Sequence, residues 1–169
     1  MDITVFAHGR LRWPEADVRC ALGRSGVRTL KREGDGATPA GAYPLRGVMY
    51  RADRIDPPET GLPVRPIDPV DGWCDDPWDP YYNRPVRRPC TARHERLWRD
   101  DGCYDLLAVI GYNDAPVRAG LGSAIFLHVA QTDFGPTEGC VALALSDLRA
   151  LLRACRPGDR IVIEAAPSP

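Results

Sequence analysis

Apolar positions recur along this chain with two spacings, and the shorter one dominates. Residues 42–48, 106–112, 124–129 and 160–164 are brief apolar or alternating runs closed by Gly, Pro or Asp. Such runs mark strands, whose successive side chains point to opposite faces. The first residues follow the same rule, with Ile3, Val5 and Ala7 on one face. Helical spacing is convincing once. Leu148, Leu151, Leu152 and Cys155 repeat at i, i+3, i+4 and i+7. Ser146 suits the N-cap before them, Asp147 suits the first turn, and Arg156-Pro157-Gly158-Asp159 stops the run. That spacing makes Cys155 a core residue. A shorter helix is expected over residues 15–22. The pattern predicts a mainly β (α+β) domain, a mixed β-sheet or sandwich with one clear helix following Cys140.

Between residues 53 and 93 both periods fade into a stretch dense in Pro, Asp and Arg that contains WCDDPWDPYYNRPV. A long irregular connection in a compact domain is usually functional or disordered. Trp73, Trp78, Tyr81 and Tyr82 supply packing material, so an ordered flap bordering a site is expected. The 169 residues carry no repeat or low-complexity tract and fit one core, predicting a single domain over residues 1–169.

Charge removes two function classes. A formal net charge of -1, from 22 basic and 23 acidic residues, sustains no field for nucleic acid or anionic lipid. The locally basic residues 84–96 read as a solvated loop. No run approaches the roughly 18 apolar residues that membrane insertion needs.

The six cysteines, Cys20, Cys74, Cys90, Cys103, Cys140 and Cys155, are too scattered for a small disulfide scaffold. Cys74, Cys90, His94 and Cys103 lack the closely spaced pairs from which structural zinc draws its ligands. Neither metal nor cofactor is expected, and free thiols suit a reducing compartment. The chain starts with an acidic second position and an immediate strand, not with a basic region and an apolar core as export signals do. The expected location is the cytoplasm, or the periplasm if an export signal has been removed.

Candidate chemistry concentrates in AIFLHVAQTDFGPTEGCVA, residues 124–142. An apolar run ends at His128, and twelve residues later Thr137-Glu138-Gly139-Cys140 presents a thiol. A catalytic cysteine needs a neighbour that takes or balances its proton, and imidazole titrates in the right range. Gly139 lacks a Cβ and would let a substrate carbonyl approach backbone N–H donors. Buried structural Cys and His residues are common, however, and the spacing alone leaves that reading open.

A strand ending in His, a short loop, then [Ser/Thr]-x-Gly-Cys-[Ile/Val] resembles the L,D-transpeptidase catalytic domain, the YkuD-type family, here with His128, Thr137, Gly139, Cys140 and Val141. KREGDGATPAGAYPL at residues 31–45, with Thr38, Pro39 and Gly41, is similar to that family's Thr-Pro-x-Gly stretch. The resemblance runs from about Lys31 to Glu164, and Tyr112-Asn113 looks like a bacterial subgroup. It departs from the family in a short His to Cys interval, in Glu138 where His is common, and in Ala142 where a polar residue, often Arg, stands. An Arg there would suit a carboxylate, so Lys31, Arg32 or Arg118 would have to replace it, or the substrate differs.

The resemblance implies a YkuD-like fold and thiol chemistry on a peptidoglycan tetrapeptide or muropeptide. Cys140 would attack the carbonyl on the L-centre of the diamino acid and expel D-alanine. His128 would take the thiol proton, held by a backbone carbonyl since no acid is placed as a third member. The Cys140 N–H, beside Gly139, would face the oxyanion, and Thr137 would order the turn. Lys31, Arg32, Asn113 and Arg118 are the substrate-binding candidates, and Asp114 borders them. Water as acyl acceptor would make an L,D-carboxypeptidase of peptidoglycan recycling. An amine would make a transpeptidase or D-amino-acid exchanger, and the remaining alternative is an inactive muropeptide-binding domain. A papain-like amidase would place its Cys before the His, the reverse of the order here.

Overall fold

The computed structural model describes residues 1–165. In chain order the strands are β1 (Asp2–Phe6), β2 (Arg10–Trp13), β3 (Ala16–Arg19), β4 (Val27–Arg28), β5 (Thr38–Pro39), β6 (Gly41–Tyr50) and β7 (Val64–Pro66). They continue with β8 (Asp71–Cys74), β9 (Pro85–Arg87), β10 (His94–Arg96), β11 (Leu106–Ile110), β12 (Phe126–Val129) and β13 (Val141–Leu143). Helix α1 (Leu145–Ala154) and β14 (Arg160–Ile163) follow.

The main sheet runs β13-β12-β11-β6-β14-β1-β2-β3, with β7 added against β6. Strand β6 serves two neighbours in turn, pairing β14 through Gly41 to Pro44 and β11 from Leu45 onward. Three of its pairs are parallel, β1 with β14, β12 with β13 and β6 with β7. The open edges approach each other just beyond β3. Ala21 and Ala142 exchange backbone hydrogen bonds of 2.8 and 2.9 Å, and Gly23 bridges Thr137. The sheet thereby curls into a barrel-like form that satisfies edge groups otherwise left unpaired.

Alternation along β12 divides the interior. Leu127 points to a core built from α1 and the N-terminal strands, where Ile3, Val5, Leu11, Leu148, Leu151, Leu152 and Ile161 are fully buried. Each buried Leu contributes roughly 1.5–3 kcal/mol relative to exposure. Phe126 points the other way, into a second cluster with Met49, Ile67, Leu97, Tyr104 and Leu107. A three-stranded sheet, β10-β8-β9, lies over this cluster. Trp73 of β8 meets Phe126 edge-on at 5.2 Å.

Several sequence expectations change in detail. Residues 15–22 are not helical. Strands β2 and β3 form a hairpin with Trp13 opposite Ala16, leaving Pro14 and Glu15 as its two-residue turn. Buried Leu11 and Trp13 show period two, and Asp17 accepts from Arg10 and Arg12 across the hairpin at 2.8–2.9 Å. Ala7 lies in the turn after β1, outside the strand. Ser146 sits inside the first turn of α1, whose N-cap is Ala144 with no side-chain capping bond. Cys155 is buried as expected and ends the helix, its N–H reaching the carbonyls of Leu151 and Leu152.

The stretch from 53 to 93 is ordered and carries β7, β8 and β9. Trp73 and Tyr82 pack, but Trp78 is 94% and Tyr81 63% exposed. Asp76 and Asp79 accept the N–H groups of Trp78 and Tyr81 in two tight turns, with both rings left in solvent. The basic residues of this region are largely paired, Arg87 with Asp68 and Asp71, and Arg93 with Asp75.

Candidate active site

Parallel pairing sets Leu127 opposite Val141 and His128 opposite Ala142. Cys140 lies two residues before Ala142, so period two puts its side chain on the same face as His128. That face looks toward the flap, and both side chains line one cavity of about 460 Å³.

The thiol is held by the backbone. Cys140 is 7% exposed. Its sulfur accepts the Phe126 N–H and donates to the Ala124 carbonyl, each at 3.3 Å. Burial pushes the thiol pKa up to about 12, with the Glu95 carboxylate adding to the rise. His128 places Nδ1 2.9 Å from the Val129 carbonyl. A carbonyl only accepts, so Nδ1 carries the proton and Nε2 keeps its lone pair. Burial holds the imidazole below its ordinary pKa, and the Tyr104 ring meets it edge-on at 5.3 Å. At neutral pH the resting pair is therefore a thiol and a neutral imidazole. The sulfur's hydrogen bonds go to the backbone and not to His128.

The turn before the thiol is clamped from within and from outside. The Thr137 hydroxyl accepts the Gly139 N–H at 3.1 Å and donates to the Cys140 carbonyl at 2.7 Å. From outside, Thr137 N–H reaches the Leu22 carbonyl and Arg24 N–H reaches the Thr137 carbonyl. Gly139 has φ +134°, and a Cβ there would lie 2.7 Å from the Ala37 carbonyl. The space freed by this glycine is thus occupied by the loop carrying Thr38, and only glycine fits. Thr38 itself accepts the Gly23 N–H at 2.8 Å. Among the described residues the Cys140 N–H donates to no protein acceptor, which leaves a donor beside the thiol.

Of the four substrate-binding candidates, Lys31 alone lines the cavity. Its side chain is 3% exposed and paired with Asp35 at 2.8 Å. Arg32 and Arg118 are exposed outside the cavity wall. Asn113, at φ +48°, bonds the backbone of Arg118 and Gly122 and shapes a turn, and Asp114 pairs with Arg46. Glu138 is exposed and paired with Arg24 at 3.0 Å. Ala142 lines the cavity wall.

Sequence reasoning missed the far wall. Glu95, Arg99 and Tyr104 line it. The Tyr104 hydroxyl donates to Glu95, and the Arg99 guanidinium lies 4.9 Å from the Tyr104 ring centroid while pairing with Asp101. Burial raises the Glu95 pKa and lifts that of Tyr104 well above its usual value. In sequence these residues sit in an irregular, charged stretch with no periodicity to single them out. Among the described residues no three His, Cys, Asp or Glu side chains gather as a metal site, and no helix is long and apolar enough to cross a membrane.

The profile of the L,D-transpeptidase catalytic domain, YkuD, matches residues 3–163. The match starts well before Lys31 and takes in the N-terminal hairpin, beyond which Ala21 bonds Ala142 and Leu22 and Arg24 bond the Thr137 turn. Among solved structures the chain is similar to the helical cell shape determining protein Pgp2 from Campylobacter jejuni, at 13% identity and a TM-score of 0.52 over 99% of this chain and 48% of that one. The K307A mutant of the same protein gives 15% identity and a TM-score of 0.50 over 99% and 47%. This likeness is one of fold, and the chain spans about half the length of those proteins. No curated protein matches the chain. With the profile running nearly end to end, and with His128 and Cys140 lining one cavity, the chain belongs to the L,D-transpeptidase catalytic domain (YkuD) family.

Proposed function

We propose that the protein is a cysteine acyl-transfer enzyme acting on peptidoglycan stem peptides, with water as the acyl acceptor. The observation that carries this reading is one cavity shared by a thiol, a neighbouring unbonded backbone N–H and an imidazole whose Nε2 is free to accept. Because burial keeps the thiol protonated, attack is coupled to proton transfer: the sulfur leaves the Ala124 carbonyl and bonds to the substrate carbonyl carbon as His128 Nε2 takes the proton. The Cys140 N–H faces the developing oxyanion, a donor worth roughly 3 kcal/mol in comparable sites. Collapse breaks the bond to D-alanine, whose amine leaves with the His128 proton, and a thioester remains. Water then attacks with His128 as base, which frees the tripeptide and restores the thiol.

Water reaches the thioester across the rim of the cavity, where Gln131, Pro136 and Glu138 are exposed. The test is mass spectrometry of a purified tetrapeptide muropeptide incubated with the protein, with and without excess D-amino acid. Tripeptide release in both samples supports this reading. Faster incorporation of the D-amino acid makes the protein a transferase, and unchanged substrate makes it a binding domain.

A further inference from the structure

A second cysteine and histidine meet on the opposite side of the flap from the cavity. Strand β10 alternates, with Glu95 turned inward to the cavity and His94 and Arg96 lining a shallow outer depression with Cys90 and Arg88. Cys90 is the partly exposed member of the six cysteines; the other five are buried. Its sulfur lies 3.2 Å from His94 Nδ1. The same nitrogen lies 2.8 Å from the Ala92 carbonyl, which only accepts, so Nδ1 bears a hydrogen that the sulfur shares as a second acceptor. The imidazole is fixed in place: a Cβ on Gly72 would lie 2.9 Å from His94 Cδ2, so that glycine makes room for the ring.

Charge completes the site. Arg96 and Arg88 form no ion pair among the described residues. Arg88 spends one Nη2 hydrogen on the Pro69 carbonyl at 2.8 Å, and its buried Nε has no partner. A partly exposed thiol with an N–H donor at its sulfur and unpaired guanidinium groups beside it is the environment in which cysteines react readily.

We propose that Cys90 is a modification site for small anionic disulfides. The Cys90 thiolate attacks one sulfur of the disulfide, a new S–S bond to the protein forms, the original S–S bond breaks, and the leaving thiolate takes the second half of the reagent into solution. The thiol proton goes to solvent. His94 positions and stabilises the sulfur through its Nδ1–H, while Arg88 and Arg96 attract the reagent's charge. The oxidant is the disulfide itself. The proposal is independent of the chemistry assigned to Cys140.

The test uses the full chain and dithiobis(nitrobenzoate), a dianionic aromatic disulfide, against a cationic disulfide of similar reactivity, with peptide mapping of the labelled residue. One thiol, Cys90, reacts first and at least about tenfold faster than a free cysteine derivative at the same pH. Arg96→Glu reverses the preference for the anionic reagent. His94→Ala slows labelling, and His94→Asn, which can keep an N–H near the sulfur, restores part of the rate. First labelling at any other cysteine, a rate equal to that of the free derivative, or no preference between the two reagents overturns the proposal. Cys90→Ser, which removes little volume from a surface loop, controls for the assignment.

Discussion

The two cysteine–histidine pairs invert the usual expectation about contact. Cys90 and His94 touch at 3.2 Å on an outer surface, whereas Cys140 and His128 share a cavity but not a hydrogen bond, because the Cys140 sulfur is held by Ala124 and Phe126. The touching pair has solvent and positive charge around it but no enclosing cavity and no backbone donor aimed at a reaction centre. The separated pair has the cavity, and among the described residues the Cys140 N–H beside its sulfur bonds no acceptor. Contact therefore tunes reactivity toward any small electrophile, and enclosure with a placed oxyanion donor selects one reaction. Burial also raises the Cys140 thiol pKa, which keeps the resting sulfur in its protonated, less nucleophilic form.

Replacing each nucleophile gives the largest effect and the sharpest contrast. Cys140→Ala should cost at least about 10⁴-fold in turnover of a tetrapeptide muropeptide with the circular dichroism of the fold unchanged, since triad-type nucleophiles carry losses of this size. Cys90→Ser should leave turnover within about twofold. Equal losses in the two variants would erase the distinction between the pairs.

Their histidines should differ by less. His128→Ala removes the acceptor Nε2 and should lower turnover about 10²–10⁴-fold, while His94→Ala leaves it nearly unchanged. The pH profile adds a check with a definite sign. The His128 pKa lies below its ordinary value, so the free base is already present at neutral pH, and the activity rise with pH should fall on the acid side of 6.5. A rise centred at or above that value would mean that another group is the base.

The turn supports Cys140 alone. Thr137→Val loses the hydroxyl that ties Gly139 N–H to the Cys140 carbonyl. It should cost about 1–3 kcal/mol of stability in a chemical denaturation series, with turnover reduced more than substrate affinity. Gly139→Ala should cost a similar amount, since φ +134° and the Ala37 carbonyl both oppose a side chain. Full stability in either variant would show that the turn is not under this constraint.

The smallest effect concerns alkali. Cys20, Cys140 and Cys155 have pKa values raised by burial from 9.0 to about 12. The folded state holds these protons longer than the unfolded state does, so their stabilising contribution is complete below about pH 9 and is lost as pH rises toward 12. Thermal midpoints measured across that window should fall, and fall less steeply in Cys140→Ala. An identical slope in that variant would place the Cys140 sulfur in a wetter setting than its contacts imply.

Legibility followed locality. Strands β1, β6, β11, β12 and β14 and helix α1 announce themselves because period two and period 3.6 are written in neighbouring residues. Strand β3 lies where the local pattern suggests a helix over residues 15–22: its contacts with β2, Asp17 with Arg12 and Val18 with Leu11, outweigh that weak local pattern. The flap's order was inferable from its aromatics, but not which of them would be packed, because Asp76 and Asp79 direct the turns that expose Trp78 and Tyr81.

The sequence by itself determined the mainly β class, the helix after the thiol, and Cys140 with His128 as the candidate pair, since a strand end and a Gly-Cys turn are short-range features. Only the tertiary structure decided the rest. It brought Glu95, Arg99 and Tyr104 to the far wall, kept Lys31 while leaving Arg32, Asn113 and Arg118 outside, and filled the space above Gly139 with the Ala37 carbonyl. Those placements depend on strands and loops distant in the chain packing onto one face, and no spacing within a single segment encodes a contact whose two halves are set by different segments.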